Sequence, residues 1–292
     1  MHSIQNKNIK IAIKNIGAEL SSIVSLKNNK EYLWRGDSEY WGGQAPILFP
    51  FVGRLKDDVF IANGKEYSHK KHGFFRKSNA VKLIEKTDTK LTFSITHSKE
   101  TLKVYPYEFE FKTSYELIGN TVSIRHYIEN LGTGCMYFSL GEHPAFNCSL
   151  NELNKSYEDC SLIFEKTEND VTWNINKEGL LDNTTTEILN NTNVIHLNQK
   201  SFEKDALVFK KLKSNKITLA NKQEGILITV TFKDFPYLGI WSKPNAPFVC
   251  IEPWLGIADS QDSSQEIKKK EAIINLASKE SFSATYSIEI HD

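Results

Sequence analysis

The chain has 292 residues, 40% of them hydrophobic and 11% aromatic, and its 36 lysines and arginines balance 36 aspartates and glutamates. That is ample apolar material for a large core, and the balanced charge gives no global basic field to collect nucleic acid or an anionic membrane. The composition favours a small molecule, recognised locally, as the partner.

The opening residues, MHSIQNKNIKIAIKN, lack the apolar run of a secretory signal, and no later segment offers about eighteen uncharged apolar residues for a membrane span. Both features predict a cytoplasmic location. Cys135, Cys148, Cys160 and Cys250 show no C-x-x-C spacing, so buried thiols are expected rather than a disulfide framework or a zinc ribbon.

In chain order, period-two alternation runs through KIAIK near the start, KLTFSITHS at 90–98, YEFEFKTSYEL at 107–117, TVSIRHYI at 121–128 and GILITVTF at 225–232. Each reads as a strand with one buried face. Turn signals at 118–120, 130–134 and 221–225 leave hairpin-sized gaps, so the sheets are expected to be largely antiparallel. The best helical candidate, SSQEIKKKEAI at 263–273, is short, and its Lys268–Lys270 run reads as a solvated face. The Asn/Thr-rich stretch at 182–198 reads as a surface loop. With no Pro/Ser/Gly-rich linker and no internal repeat, residues 1–292 are predicted to form a single all-β sandwich domain.

Four stretches break the alternation: 42–55, 70–78, 139–147 and 235–260. In a sandwich these are expected at strand ends and loops, where sites are built on a rigid scaffold. His143 and Glu252 each precede a proline, which holds the preceding backbone extended and restricts it before any ligand arrives. Such restriction suits an acid and a base, although His-Pro and Glu-Pro are also ordinary turn pairs. His72 precedes a glycine and two phenylalanines and reads equally as a core histidine. His69 and His72 have the spacing of half a metal site, but no H-x-H, H-E-x-x-H or cysteine pair completes it, so no metal is predicted. The same absence argues against a cupin-like metal enzyme. Arg54 follows an apolar stretch and needs an acceptor, either a carboxylate or vicinal sugar hydroxyls. Asp205 reads as a site residue or as a surface carboxylate opening a strand. His126, within an alternating strand, reads as structural.

The ordered set FPFVGR with Arg54, HGFFR with His72, GEHPAFN with His143, EKDALVF with Asp205 and CIEPWLGIAD with Glu252 resembles the aldose 1-epimerases, or galactose mutarotases, and within them the LacX-like branch. The resemblance implies a galactose-mutarotase-like supersandwich of large antiparallel sheets and an isomerase that interconverts the α and β anomers of an aldose with no cofactor. It implies Glu252 as general base and His143 as general acid, with Arg54, His72 and Asp205 binding the sugar. Trp254 and Trp241 are candidates to present an apolar face to sugar C–H bonds. The wording of FPFVGRLKDD and HGFFRKS departs from the galactose mutarotases proper and leaves a hexose-6-phosphate substrate open, with Lys71, Arg76 and Lys77 as candidate phosphate contacts. A non-catalytic carbohydrate-binding protein on the same fold is the other reading.

Overall fold

Two sheets dominate the structure, a computed structural model that describes residues 1–151 and 156–292. The larger has nine strands, in the order Leu181–His196, Cys160–Ile175, Lys216–Asn221, Gly225–Thr231, Ser281–Ile290, Thr121–Asn130, Phe109–Ile118, Lys90–Thr96 and Lys82–Lys86. The smaller runs Leu207–Phe209, Tyr237–Trp241, Phe248–Trp254, Gly141–Glu142 and Ile47–Leu48, with Ala145–Asn147 also paired to Phe248–Trp254. Every ladder in both sheets is antiparallel.

The alternation seen in the sequence is the alternation of burial. Along Thr121–Asn130 the residues Val122, Ile124, His126 and Ile128 are buried, and along Ser281–Ile290 so are Ala284, Tyr286, Ile288 and Ile290. These inward faces meet Val249 and Ile251 of Phe248–Trp254 in one continuous apolar core between the sheets. The opposite face of the smaller sheet carries Cys250, Glu252 and Trp254, and the register sets Gly239 opposite Glu252 and Trp241 opposite Cys250.

Three expectations are corrected. The stretch at 182–198 is mostly the strand Leu181–His196, whose polar residues are accommodated because it is the outermost strand of its sheet and most of its side chains face water. The stretch at 263–273 contains one 3₁₀ turn, Ile267–Lys269, and Lys270 is buried, its Nζ 2.6 Å from Asp259 Oδ1 and donating to the Ile257 carbonyl. The segment 235–260 contains the strands Tyr237–Trp241 and Phe248–Trp254 rather than loops alone. All seven residues of Phe248–Trp254 are buried, so a strand covered on both faces has no reason to alternate. A six-residue helix, Lys99–Val104, closed at its start by reciprocal Ser98 and Thr101 bonds, was not predicted. Among the described residues, no helix is long and apolar enough to cross a membrane.

Candidate active site

A cavity of about 340 Å³ opens on the outer face of the smaller sheet, within the size range of small-molecule sites. Glu252 and Trp254 form its floor from the middle and end of their strand, while His143 enters from the link between Gly141–Glu142 and Ala145–Asn147. Ile175, Gly179 and Leu181, from the end of the long hairpin of the larger sheet, form another wall. Gly239 makes room for the floor. A Cβ there would lie 2.3 Å from Trp254 Cζ2, so only a glycine lets the indole lie across the neighbouring strand.

His143 and Glu252 are brought together, with Nδ1 of the imidazole 3.4 Å from Oε1 of the carboxyl. Trp41 stacks on the His143 ring at 4.8 Å and 25°, and Trp241 and His72 meet it edge-on at 5.7 and 5.6 Å. His72 stands on a left-handed backbone, φ 69°, and its Nδ1 accepts a hydrogen bond from the Gly53 N–H, which leaves the ring proton of the neutral form on Nε2. The next residue, Gly73, also has positive φ, and a Cβ there would lie 2.1 Å from the Phe49 carbonyl oxygen. Asp205 too is left-handed, φ 72°, with Oδ1 accepting from the Ala206 N–H.

Arg54 is placed differently from the sugar contact expected of it. It does not line the cavity; its Nε and a terminal nitrogen fork onto Asp58 at 2.8 Å each, and its other terminal nitrogen donates to the Glu178 carbonyl at 3.0 Å. It therefore fastens the tip of the overhanging hairpin from the rim. The guanidinium that does line the cavity is Arg76, together with Lys71, and neither forms an ion pair among the described residues. Lys77 and His69 lie along a separate groove behind the same loop, so His69 and His72 do not converge on one ion. Trp41, Ile175 and Leu181 are cavity residues that sequence reasoning missed. For Trp41 the one available signal was its position just before the non-alternating stretch at 42–55.

Burial dominates the electrostatics. It raises the Glu252 carboxyl well above the usual carboxylate range; Lys71 pulls the other way, Asp205 adds to the rise, and the Trp254 indole N–H partly offsets it without reaching full hydrogen-bond geometry. Burial also lowers His143 to about 3, helped by the positive charges of Lys71 and Arg76, with a backbone hydrogen bond opposing. His72 is held well below its ordinary value by burial and then by His143, Lys71 and Arg76. His143, Cys250 and Glu252 have ligand atoms within 4.8 Å of one another. Burial pushes the Cys250 thiol up as it does Glu252, so a cation there would have to displace protons from both. Four buried polar atoms at the cavity, His143 Nδ1, Glu252 Oε2, Trp254 Nε1 and Arg76 Nε, have no hydrogen-bond partner among the described residues.

The all-β architecture is what the ordered motifs implied, and the family model for aldose 1-epimerase matches residues 1–289. The chain belongs to that family. It is 36% identical to the plasmid-encoded protein LacX of Lactococcus lactis subsp. lactis, over 98% of each chain. Among solved structures it resembles the galactose mutarotase related enzyme of Lactobacillus acidophilus, with TM-score 0.94 and 33% identity over 100% of this chain and 97% of that one. A galactose mutarotase-like protein from Lactobacillus casei follows with TM-score 0.93, 30% identity and full coverage of both chains. The fold is thus the galactose-mutarotase-like all-β architecture.

Proposed function

We propose that the protein is a mutarotase that interconverts the α and β anomers of a hexose, using Glu252 and His143 as its acid/base pair. The observation that carries this reading is the His143 imidazole facing the Glu252 carboxyl at 3.4 Å in a cavity also lined by Lys71, His72, Arg76 and Asp205, a mixture of donors and acceptors that suits a polyhydroxylated molecule. Trp254 and Trp241 supply apolar surface for its C–H faces.

Ring opening removes the proton of the anomeric O1 hydroxyl, breaks the C1–O5 bond to leave an aldehyde, and delivers a proton to O5. Closure on the other aldehyde face reverses both transfers. O1 and O5 are both bonded to C1, so the pair must hold one proton and pass it between these two neighbouring oxygens, and each transfer contributes roughly 10² to 10⁴ in rate. With Glu252 as base and His143 as acid, that proton starts on the imidazole. Burial favours its residence on the carboxyl in the free protein, with a neutral imidazole beside it. Sugar hydroxyls donating to Glu252 stabilise the carboxylate and return the proton to His143. His72 and Asp205 orient the hydroxyls.

A hexose phosphate is the second reading, favoured by Lys71 and Arg76 standing in the cavity wall without a carboxylate partner. Magnetisation-exchange NMR with glucose, galactose and their 6-phosphates separates the two substrates. Glu252→Gln is expected to abolish exchange and leave sugar binding within a few-fold. Binding with no exchange in the wild-type protein would replace the enzyme by a carbohydrate-binding protein, and exchange lost to a chelator would make the His143, Cys250 and Glu252 group a cation site.

A further inference from the structure

Glu142 and His143 are adjacent, and their side chains leave the strand on opposite faces. His143 enters the cavity, whereas Glu142 points into the core between the sheets and is 1% exposed. There its Oε2 accepts from the Tyr286 hydroxyl at 2.7 Å, and its Oε1 lies 2.8 Å from His126 Nε2. Both partners belong to the nine-stranded sheet, where His126 and Tyr286 lie roughly parallel, ring centroids 6.4 Å apart at 18°. The negative charge of Glu142, after burial itself, raises the phenols of both Tyr286 and Tyr115.

Such a cluster is a poor way to hold two sheets together. Taking a carboxyl, an imidazole and a phenol out of water costs more than burying apolar side chains of the same volume, and replacing a buried polar group of this kind with well-packed hydrophobic residues is often neutral or stabilising. His126 Nδ1 and Nε2 and Glu142 Oε1 are all buried without a hydrogen-bond partner among the described residues, so the 2.8 Å approach of His126 to Glu142 is an ionic contact outside hydrogen-bond geometry, which adds to the cost.

The local backbone supplies the reason. The strand Gly141–Glu142 is two residues long, paired at Gly141 to Trp254 and Leu48 and at Glu142 to Ile47. So short a ladder fixes direction weakly. Pro144 restricts the backbone of His143 from the following side, and the Glu142 carboxyl, tied to the opposite sheet, restricts it from the preceding side.

On the reading that His143 is the acid of an acid/base pair, we propose that Glu142, with Tyr286 and His126, is a positioning device that holds the His143 imidazole in register with Glu252. None of the three lines the cavity. A displacement of about 1 Å in a reacting group is enough to cost roughly a hundredfold in rate, so the device acts on turnover and not on affinity.

The test compares Tyr286→Phe, Glu142→Gln and the combined variant Glu142→Met, His126→Leu and Tyr286→Phe, in the full chain, so that no member of the cluster is left buried and unpaired. The combined variant is expected to melt at or above the wild-type temperature and to lose ten- to a hundredfold in kcat with KM within threefold. In Tyr286→Phe, kcat is expected to fall less, its pH profile to move, and the ¹⁵N resonances of the His143 ring to shift. Those resonances do not depend on turnover, so they test the device even if the wild-type protein exchanges no anomers. A purely structural role predicts the opposite pattern: lowered melting temperature, activity lost only in proportion to unfolded protein, and an unmoved ring spectrum. That result overturns the proposal, as does full kcat in a stable combined variant.

Discussion

The His143 imidazole and the Glu252 carboxyl face each other at 3.4 Å, and burial moves them in opposite directions, the acid upward and the imidazole downward. Over the interval between their two titrations the pair holds one proton, which is the form that the proposed ring opening would use.

Lys71 lowers both members of the pair. Replacing it with methionine removes a positive charge that favours the carboxylate and disfavours the imidazolium, so both groups titrate at higher pH. The bell-shaped dependence of kcat/KM on pH is expected to move as a whole toward the alkaline side. A profile that narrows, or moves toward acid, contradicts this account of the pair.

Arg76, and not Arg54, is the arginine that lines the cavity. Arg76 lines the cavity with a buried, unpartnered Nε, whereas Arg54 is spent on Asp58 and the Glu178 carbonyl at a half-exposed rim. Hydrogen bonds to charged groups contribute about 1.5–3 kcal/mol, and exposed ion pairs about 0.2–1 kcal/mol. Arg76→Gln is therefore expected to raise the substrate KM at least about tenfold, and Arg54→Gln less than about fivefold, with the Arg76 effect larger on a hexose phosphate than on a hexose. Steady-state kinetics on both sugars decides it, and equal effects at the two arginines would reject the distinction.

Gly239 sets how deep the cavity is. Its Cβ would fall on the Trp254 indole, so Gly239→Ala is expected to push that ring into the substrate space, at a cost typical of overpacking, about 1–3 kcal/mol. KM should rise more than the melting temperature falls, with a shift in tryptophan emission. An unchanged KM would mean that the ring yields in some direction other than the cavity.

Most of the frame was legible because burial repeats with the strand period: the inward residues of Phe109–Ile118, Thr121–Asn130 and Ser281–Ile290 alternate with outward polar ones. Legibility failed where that contrast disappears. Phe248–Trp254 is buried on both faces, and only three residues of Leu181–His196 are buried, so neither alternates cleanly; the first reads as strand ends and loops and the second as a surface loop. At the site, the two proline-preceded residues were readable because the restriction is local. The placement of Arg54 at the rim was not, because it depends on Asp58 and on a carbonyl 124 residues away. The burial of Lys270 is hidden for a different reason: its partner Asp259 lies upstream in the same irregular connection between Phe248–Trp254 and Ile274–Leu276, and the pairing leaves no mark in the charge run around it.

His69 offers a test of burial that is independent of catalysis. It is 6% exposed, packed against Phe51 and Phe74 at 5.2 and 5.8 Å, and its Nε2 has no partner. Burial lowers it to about 4 from 6.5, a backbone bond at Lys70 opposing. As pH falls below 6.5 the unfolded chain takes up a proton at this residue, while the folded chain does so only near 4. The contribution of the neutral ring is thus complete above 6.5 and is lost as pH falls through that window. His143 and His72 act in the same sense and Glu252 in the opposite one, so the residue is isolated by difference. His69→Leu is expected to gain on the wild type by on the order of 3 kcal/mol between pH 7 and pH 4, read from urea midpoints at each pH. Wild-type and variant stabilities that run parallel across that range would show the imidazole reaching solvent, and the aromatic wall around it opening, well before the fold is lost.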